Sequence, residues 1–141
     1  MRKQTEAILT GLILGDGYLT KPFGKSKRSG LDIKYDERYL PYLEWLHTKL
    51  AELDLSPIRR KKGFHQYRFY TKRRSDIGLL RRVFYPKGIK RIPLDIQERL
   101  THPITLAVWY QDDGTLDFRK GDHANSLIAT HCFSRRECEL L

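Results

Sequence analysis

The sequence predicts an α+β fold: one complete αββαββα unit over residues 1–101, and the opening of a second copy of the same unit over residues 102–141. Three observations carry that prediction. Two apolar runs of helical length, Leu9–Gly17 ("LTGLILGDG") and Leu106–Gly114 ("LAVWYQDDG"), both end in Asp-Gly. Each is followed by a short strand candidate and a charged, polar turn. Between them a helix with three- and four-residue apolar spacing is succeeded by a second alternating hairpin.

Taken in order, residues 4–16 read as a helix with Thr5 at the N-cap, Glu6 in the first turn where the helix dipole favours an acid, and a glycine at the end. "GYLTKPF" and "LDIKY" are strand candidates joined by the cationic loop "GKSKRSG". From Glu37 to Leu53, the spacing of Tyr39, Leu43, Leu46, Leu50 and Leu53 predicts an amphipathic helix, with Pro41 tolerable only in its first turn. "SPIRRKKGFHQYRFYTK" predicts a hairpin turning at Gly63, in which His65, Tyr67 and Phe69 alternate with Gln66, Arg68 and Tyr70. "SDIGLLRRVFY" predicts a short helix capped by Ser75. After it come a punctuated turn, "PKGIKRIP", and another short helix, "LDIQERL". The second copy contributes its helix, a strand at Thr115–Phe118, the turn "RKGDHAN", a strand in "SLIATHCF", and a helix start at Ser134 with Glu137 completing a capping box. Read as a repeat, this second copy is truncated.

Composition bounds the partners. The chain has 141 residues, and 27 Lys+Arg against 17 Asp+Glu give a formal charge of +10, which favours a polyanion and nucleic acid first. No apolar run is long enough to cross a bilayer, so no membrane partner is expected. Cys132 and Cys138, with His123 and His131, make neither a disulfide framework nor a CxxC zinc pair. With no secretory leader visible, an intracellular protein of cytoplasm, nucleoid or organelle is expected.

The two Asp-Gly runs resemble the nine-residue signature of the LAGLIDADG homing endonucleases, in the branch that carries two repeats on one chain. The segments "YRFYTK", "VFYPKGIKRIP" and "CFSRRECELL" resemble that branch's connecting segments, so the similarity covers nearly the whole chain. It implies two signature helices packed at the repeat interface, a basic antiparallel sheet forming a DNA-binding saddle, and site-specific cleavage of double-stranded DNA. In that family each signature acid serves one strand. The resemblance therefore casts Asp16 and Asp113 as catalytic, metal-holding acids, with the carbonyls of Gly15 and Asp112 as further ligands. It also implies a basic residue near each site: Lys90 for the first repeat, with Lys34 the other candidate. Two departures stand out: Val108 and Asp112 replace the glycines of the first helix, and the second sheet is incomplete.

Elementary physics agrees with the pairing. Gly11 and Gly15 lie on one helical face, where a second helix can approach to backbone contact. A parallel partner would set two carboxylates side by side at helix C-termini, where the dipole is already negative, and a cation must relieve the repulsion. Oxygen-only ligation suits Mg²⁺, with Mn²⁺ as the alternative. For the binding surface, Lys21, Lys25, Lys27, Arg28, Arg59, Arg60, Lys61, Lys62, Lys72, Arg73 and Arg74 cluster in the hairpins and their ends, where loop positions favour phosphate contact. Lys34, Gln66, Arg68 and Tyr70 alternate within strands and point to base edges. The competing readings are an RNA maturase acting on host intron RNA and a catalytically silent DNA-binding module. A second chain that completes the second repeat is a further expected partner.

Overall fold

The computed structural model describes residues 1–119 and 123–141. The turn expected at "RKGDHAN" falls partly on 120–122, which lie outside the described residues. Helix α1 spans Lys3–Leu14, and every residue from Ala7 to Leu14 is buried, because helices and sheet surround it. Its N-cap position is Arg2, with no side-chain cap, and Thr5 sits buried in the first turns instead of capping them. The expected Thr5 cap is thus corrected: the cap position lies three residues earlier, at Arg2, whose carbonyl accepts the Glu6 N–H.

Strands β1 (Tyr18–Leu19), β2 (Leu31–Asp36), β3 (Arg59–Arg60) and β4 (Gln66–Tyr70) form one antiparallel sheet in the order β1-β2-β4-β3. The register sets Ile33 opposite Phe69 and Tyr35 opposite Tyr67 on the inner face, and Lys34 opposite Arg68 on the outer one. Leu31, Ile33 and Phe69 are almost fully buried with Leu43, Leu46 and Leu50 of the next helix, so the alternation in sequence becomes one apolar and one polar face.

The single helix expected over Glu37–Leu53 is divided. Glu37–Tyr39 is a 3-10 turn, α2 runs Leu40–Lys49, and Ala51–Leu53 is a second 3-10 turn. The division has a local cause: the Asp36 carboxylate accepts the Arg38 N–H at 3.1 Å, which favours a tight turn before Pro41 opens α2. Helix α3 (Ser75–Phe84) begins at Ser75 instead of being capped by it. In its first turn the Ile77 N–H donates to the Asp76 carboxylate at 2.9 Å. Helix α4 is the single turn Ile96–Arg99, and α5 runs Pro103–Asp113, entered through His102, whose Nδ1 accepts the Ile104 N–H at 3.2 Å.

Beyond α5, strands β5 (Gly114–Arg119) and β6 (His123–Ile128) form a separate hairpin. The strand expected in "SLIATHCF" thus lies several residues earlier. With Gly114 opposite Ile128 and the Asp113 carbonyl accepting the Ala129 N–H at 2.9 Å, the ladder closes there and the chain turns away. Helix α6 (Arg135–Cys138) carries the expected capping box of Ser134 and Glu137. Glu137 also accepts the Ile92 N–H at 3.1 Å and pairs with Arg91 at 3.1 Å, tying this segment to the chain that follows α3.

The seam between α1 and α5 is close enough for backbone contact. A Cβ built at Gly11 would lie 2.5 Å from the Thr105 carbonyl, and one at Gly15 would lie 2.5 Å from Asp112 Cβ. Contacts advance along both helices in the same direction, so the pair is parallel and both C-terminal ends meet.

Two predictions follow from these contacts. Gly11→Ala and Gly15→Ala should each destabilise the protein by about 1–3 kcal/mol through forced separation of the helices, read as a lower denaturant midpoint. Glu137 is held at about 2, chiefly by the Ser134 hydroxyl, against an ordinary value of 4.5. Its contribution is complete above pH 4.5 and is lost as pH falls through about 2. Glu137→Gln should therefore lower stability at neutral pH by about 1 kcal/mol and flatten the acid limb of the pH–stability curve.

Candidate active site

The site grows from the C-terminal ends of α1 and α5. The last carbonyls of α1, on Leu14 and Gly15, accept the Lys90 ammonium at 2.9 and 2.7 Å. Local chemistry brings Lys90 there. Pro86 opens a turn in which Lys87 and Gly88 take positive φ, the Arg91 N–H returns to the Phe84 carbonyl at 2.8 Å, and the chain crosses the end of α1. A cation at unpaired helix carbonyls is favourable. Burial nevertheless pushes the Lys90 ammonium down, with Cys132, Asp113, Asp16 and Asp112 acting against that shift.

At the end of α5, Asp112 and Asp113 do different work. Asp112 is turned into the seam. One carboxylate oxygen accepts the Tyr35 hydroxyl at 2.6 Å and the Tyr42 hydroxyl at 3.5 Å, and the other accepts the Asp16 N–H at 3.1 Å. Burial outweighs these donors and pushes its carboxyl up to about 7. Asp113 accepts the Trp109 indole N–H at 3.3 Å. Asp16 is exposed at the end of α1, and its carboxyl is raised first by partial burial and then by the charge of Asp113, while Lys90 and Lys34 pull it down. The structure thus places Asp16, Asp113, Lys90 and Lys34 within one electrostatic neighbourhood.

The donors fit a hard divalent cation in part. Asp16 and Asp113 repel one another, and a cation between them would relieve that repulsion. The Gly15 carbonyl is already held by the Lys90 ammonium, and both Asp112 oxygens are engaged in the seam. Among the described residues no three His, Cys, Asp or Glu side chains surround one cation position. Two carboxylates alone suit an ion such as Mg²⁺, which keeps waters and draws remaining ligands from a phosphate substrate.

The expected binding residues separate into three groups. Lys34, Arg68 and Arg59 form one cross-strand row on the sheet's outer face, and Tyr18, Asp32 and Tyr70 form the next, with Gln66 opposite Asp36. Lys21, Lys25, Lys27 and Arg28 are exposed in the β1–β2 connection, as are Lys62, Lys72 and Arg73 elsewhere, while Lys61 is half-buried and lies over the Phe64 ring. Arg60, Arg68 and Arg74 are engaged within the protein: Arg60 with Glu37 at 3.3 Å, Arg68 with Asp32 at 3.1 Å, and Arg74 with Asp76 at 2.9 Å. Sequence reading missed Tyr35 and Tyr42, the hydroxyl partners of Asp112. The signal was present for Tyr35, an inward position on β2 whose buried hydroxyl needs a partner. Cys132 and Cys138 are free thiols.

Two parallel helices that close on paired carboxylates, joined to a cationic antiparallel sheet, define a protein with a homing-endonuclease fold. The chain belongs to the LAGLIDADG DNA endonuclease family, whose sequence pattern matches residues 6–141. Its fold is similar to that of the homing endonuclease I-WcaI bound to its DNA recognition sequence, with a TM-score of 0.82 and 26% identity over 99% of this chain and 64% of that one. It is 31% identical to the cytochrome b mRNA maturase bI2 of Saccharomyces cerevisiae over 96% of this chain and 34% of that protein. It is 30% identical to an uncharacterized protein of Methanocaldococcus jannaschii over 94% of this chain. The chain spans 52% of the length of that last relative. No helix among the described residues is long and apolar enough to cross a membrane.

Because the Tyr35 hydroxyl is the nearest donor to a half-buried carboxylate, Tyr35→Phe should cost about 1–3 kcal/mol of stability. Tyr42→Phe, at the longer 3.5 Å contact, should cost much less. Thermal unfolding of the two variants in parallel checks the order.

Proposed function

We propose that this chain acts in site-specific cleavage of double-stranded DNA, hydrolysing phosphodiester bonds beside the paired ends of α1 and α5. The observation that carries the reading is the parallel seam that brings the ends of α1 and α5 together, with Asp112 bonded to the Asp16 N–H, Asp113 beside it in sequence and the Lys90 ammonium on the last carbonyls of α1. Asp16 and Asp113 would hold a divalent cation, Mg²⁺ or Mn²⁺, which when bound supplies charge neutralisation at the attacked phosphate and at the leaving 3′ oxygen. Lys90 fixes the end of α1, and its depressed affinity for a proton suits a group that orders water beside a phosphate. The Asp112 hub keeps the two helix ends in register, so the paired carboxylates stay together without substrate. Among the assigned groups, Asp16 and Asp113 are the metal-holding acids and Lys90 the basic residue that orders water or stabilises charge, with Gly15 and Asp112 in supporting positions.

The outer face of the sheet, with the exposed lysines and arginines around it, is the surface assigned to the duplex. Loop cations meet phosphate, and the row containing Lys34 and Arg68 meets base edges. Residues 1–101 are one full unit and 102–141 open a second. The β5–β6 hairpin exposes Leu116 and Phe118 on one face. The corresponding face of β2 is covered by α2, so a second chain that supplies the equivalent cover is part of this reading. The similarity to a cytochrome b mRNA maturase supports a second reading, assistance to splicing of a host intron RNA.

Asp16→Asn and Asp113→Asn should each lower linearisation of a plasmid carrying the uninterrupted form of the gene's own flanking sequence by more than about 100-fold, with duplex binding retained. Cleavage that survives both substitutions would overturn the assignment. Splicing in vitro that requires the protein yet tolerates both substitutions would select the maturase reading.

A further inference from the structure

A cavity of about 510 Å³ lies between the β1–β2 connection and α3, away from the paired carboxylates. Its lining includes Lys21, Lys27, Arg81 and Arg82, and no acidic residue. Arg81 is only 6% exposed. Its guanidinium donates to the Leu19 carbonyl and lies over the Tyr85 ring, 4.6 Å from the centroid. Among the described residues none of these four cations makes an ion pair, although eight other arginines do. Burying a guanidinium without a counter-charge is costly, and placing three more cations around the same space adds repulsion. One carbonyl and the faces of two rings, Tyr85 and at 5.9 Å Tyr18, supply no counter-charge and compensate only part of that cost.

The walls are built closely. Gly78 of α3 is in contact with the Lys27 carbonyl, where a side chain would clash, and Arg73 pins the Lys21 carbonyl at 2.7 Å. We propose that this cavity is a phosphoryl-binding site, in which the Arg81 fork and the ammoniums of Lys21 and Lys27 hold the oxygens of a phosphate group. A tetrahedral anion with several acceptor oxygens matches a planar guanidinium fork and flanking point charges better than a halide or a single carboxylate does. Two sources share this chemistry: a phosphodiester of bound nucleic acid, and free phosphate. The nucleic-acid source rests on the DNA reading above, since Lys25 and Arg28 stand exposed on the same connection. The phosphoryl site itself does not.

The test begins with inorganic phosphate, titrated against chloride at constant ionic strength while thermal unfolding is followed. Phosphate should raise the melting temperature of the unmodified protein by a few degrees, as expected for a ligand that binds only the folded state. The double variant Lys27→Gln/Arg82→Gln, altered at exposed positions, should lose the shift, and Lys49→Gln on α2 should keep it. Arg81→Met reads the buried cation directly; if it fails to fold, the double variant carries the test. Binding to a duplex of arbitrary sequence then separates the sources. A fall of about one in the slope of log affinity against log salt for Arg82→Gln alone, which lines the cavity and lies outside the duplex surface assigned above, assigns the site to a backbone phosphodiester. An unchanged slope with a lost phosphate shift assigns it to free phosphate. No phosphate-specific shift in the unmodified protein, or an equal shift in the double variant, overturns the proposal, and neither outcome bears on cleavage at Asp16 and Asp113.

Discussion

The contact on which the structure depends is the backbone-close approach of α1 and α5 at Gly11 and Gly15. Without side chains at those positions, the Thr105 carbonyl and the Asp112 side chain reach the surface of α1. Everything at the far end of the seam follows from that distance. Asp112 can accept the Asp16 N–H only because α5 lies this close, and the same closeness sets Asp113 where its charge acts on Asp16. The apolar residues of α1 are a second consequence. A helix with another helix on one side and a sheet with α2 on the other has no solvent face, so Ile8 to Leu14 are buried throughout and show no amphipathic stripe.

Gathering acids at two helix C-termini runs against the helix dipole. The protein offsets this unequally. At α1 the Lys90 ammonium sits on the Leu14 and Gly15 carbonyls. At α5, among the described residues, the end is satisfied without a cation: Gly114 returns its N–H to Tyr110, and the Asp113 carbonyl takes the Ala129 N–H. The carboxylates are treated unequally too. Asp112 is half-buried under two tyrosines and driven towards its neutral form, while Asp16 stays exposed and balanced between Asp113 and two lysines. The division of labour is set by burial: a neutral or shared-proton carboxyl suits a seam, and a charged one suits a ligand.

Much of this was legible from residues alone because it rests on local or periodic signals. Gly11 and Gly15 announced a close helix face. The alternation around Phe69 gave the right face to Gln66, Arg68 and Tyr70. The capping box at Ser134 and Glu137 formed as spaced. The failures have tertiary causes. Thr5 has a good cap's chemistry, but the core takes its side chain. Asp36 redirects the start of α2 through a turn bond that propensity does not register. The partners of Asp112, Tyr35 and Tyr42, lie 77 and 70 positions away in the chain, beyond any spacing rule. Nor could residue types reveal which basic residues are already paired.

That last point decides how the outer face of the sheet works. Arg68 is held by Asp32, and the next row places Tyr70 opposite Asp32, so this arginine has lost much of its rotamer freedom before any ligand arrives. An arginine fixed in this way recognises a base edge at a smaller entropic cost than a free one, but it must exchange a carboxylate for that edge. Lys34, exposed in the same row as Arg68, carries no such partner among the described residues, and its charge already reaches Asp16. One strand face therefore carries both an arginine oriented by its own carboxylate and an exposed lysine whose charge acts on the carboxylate at the end of α1.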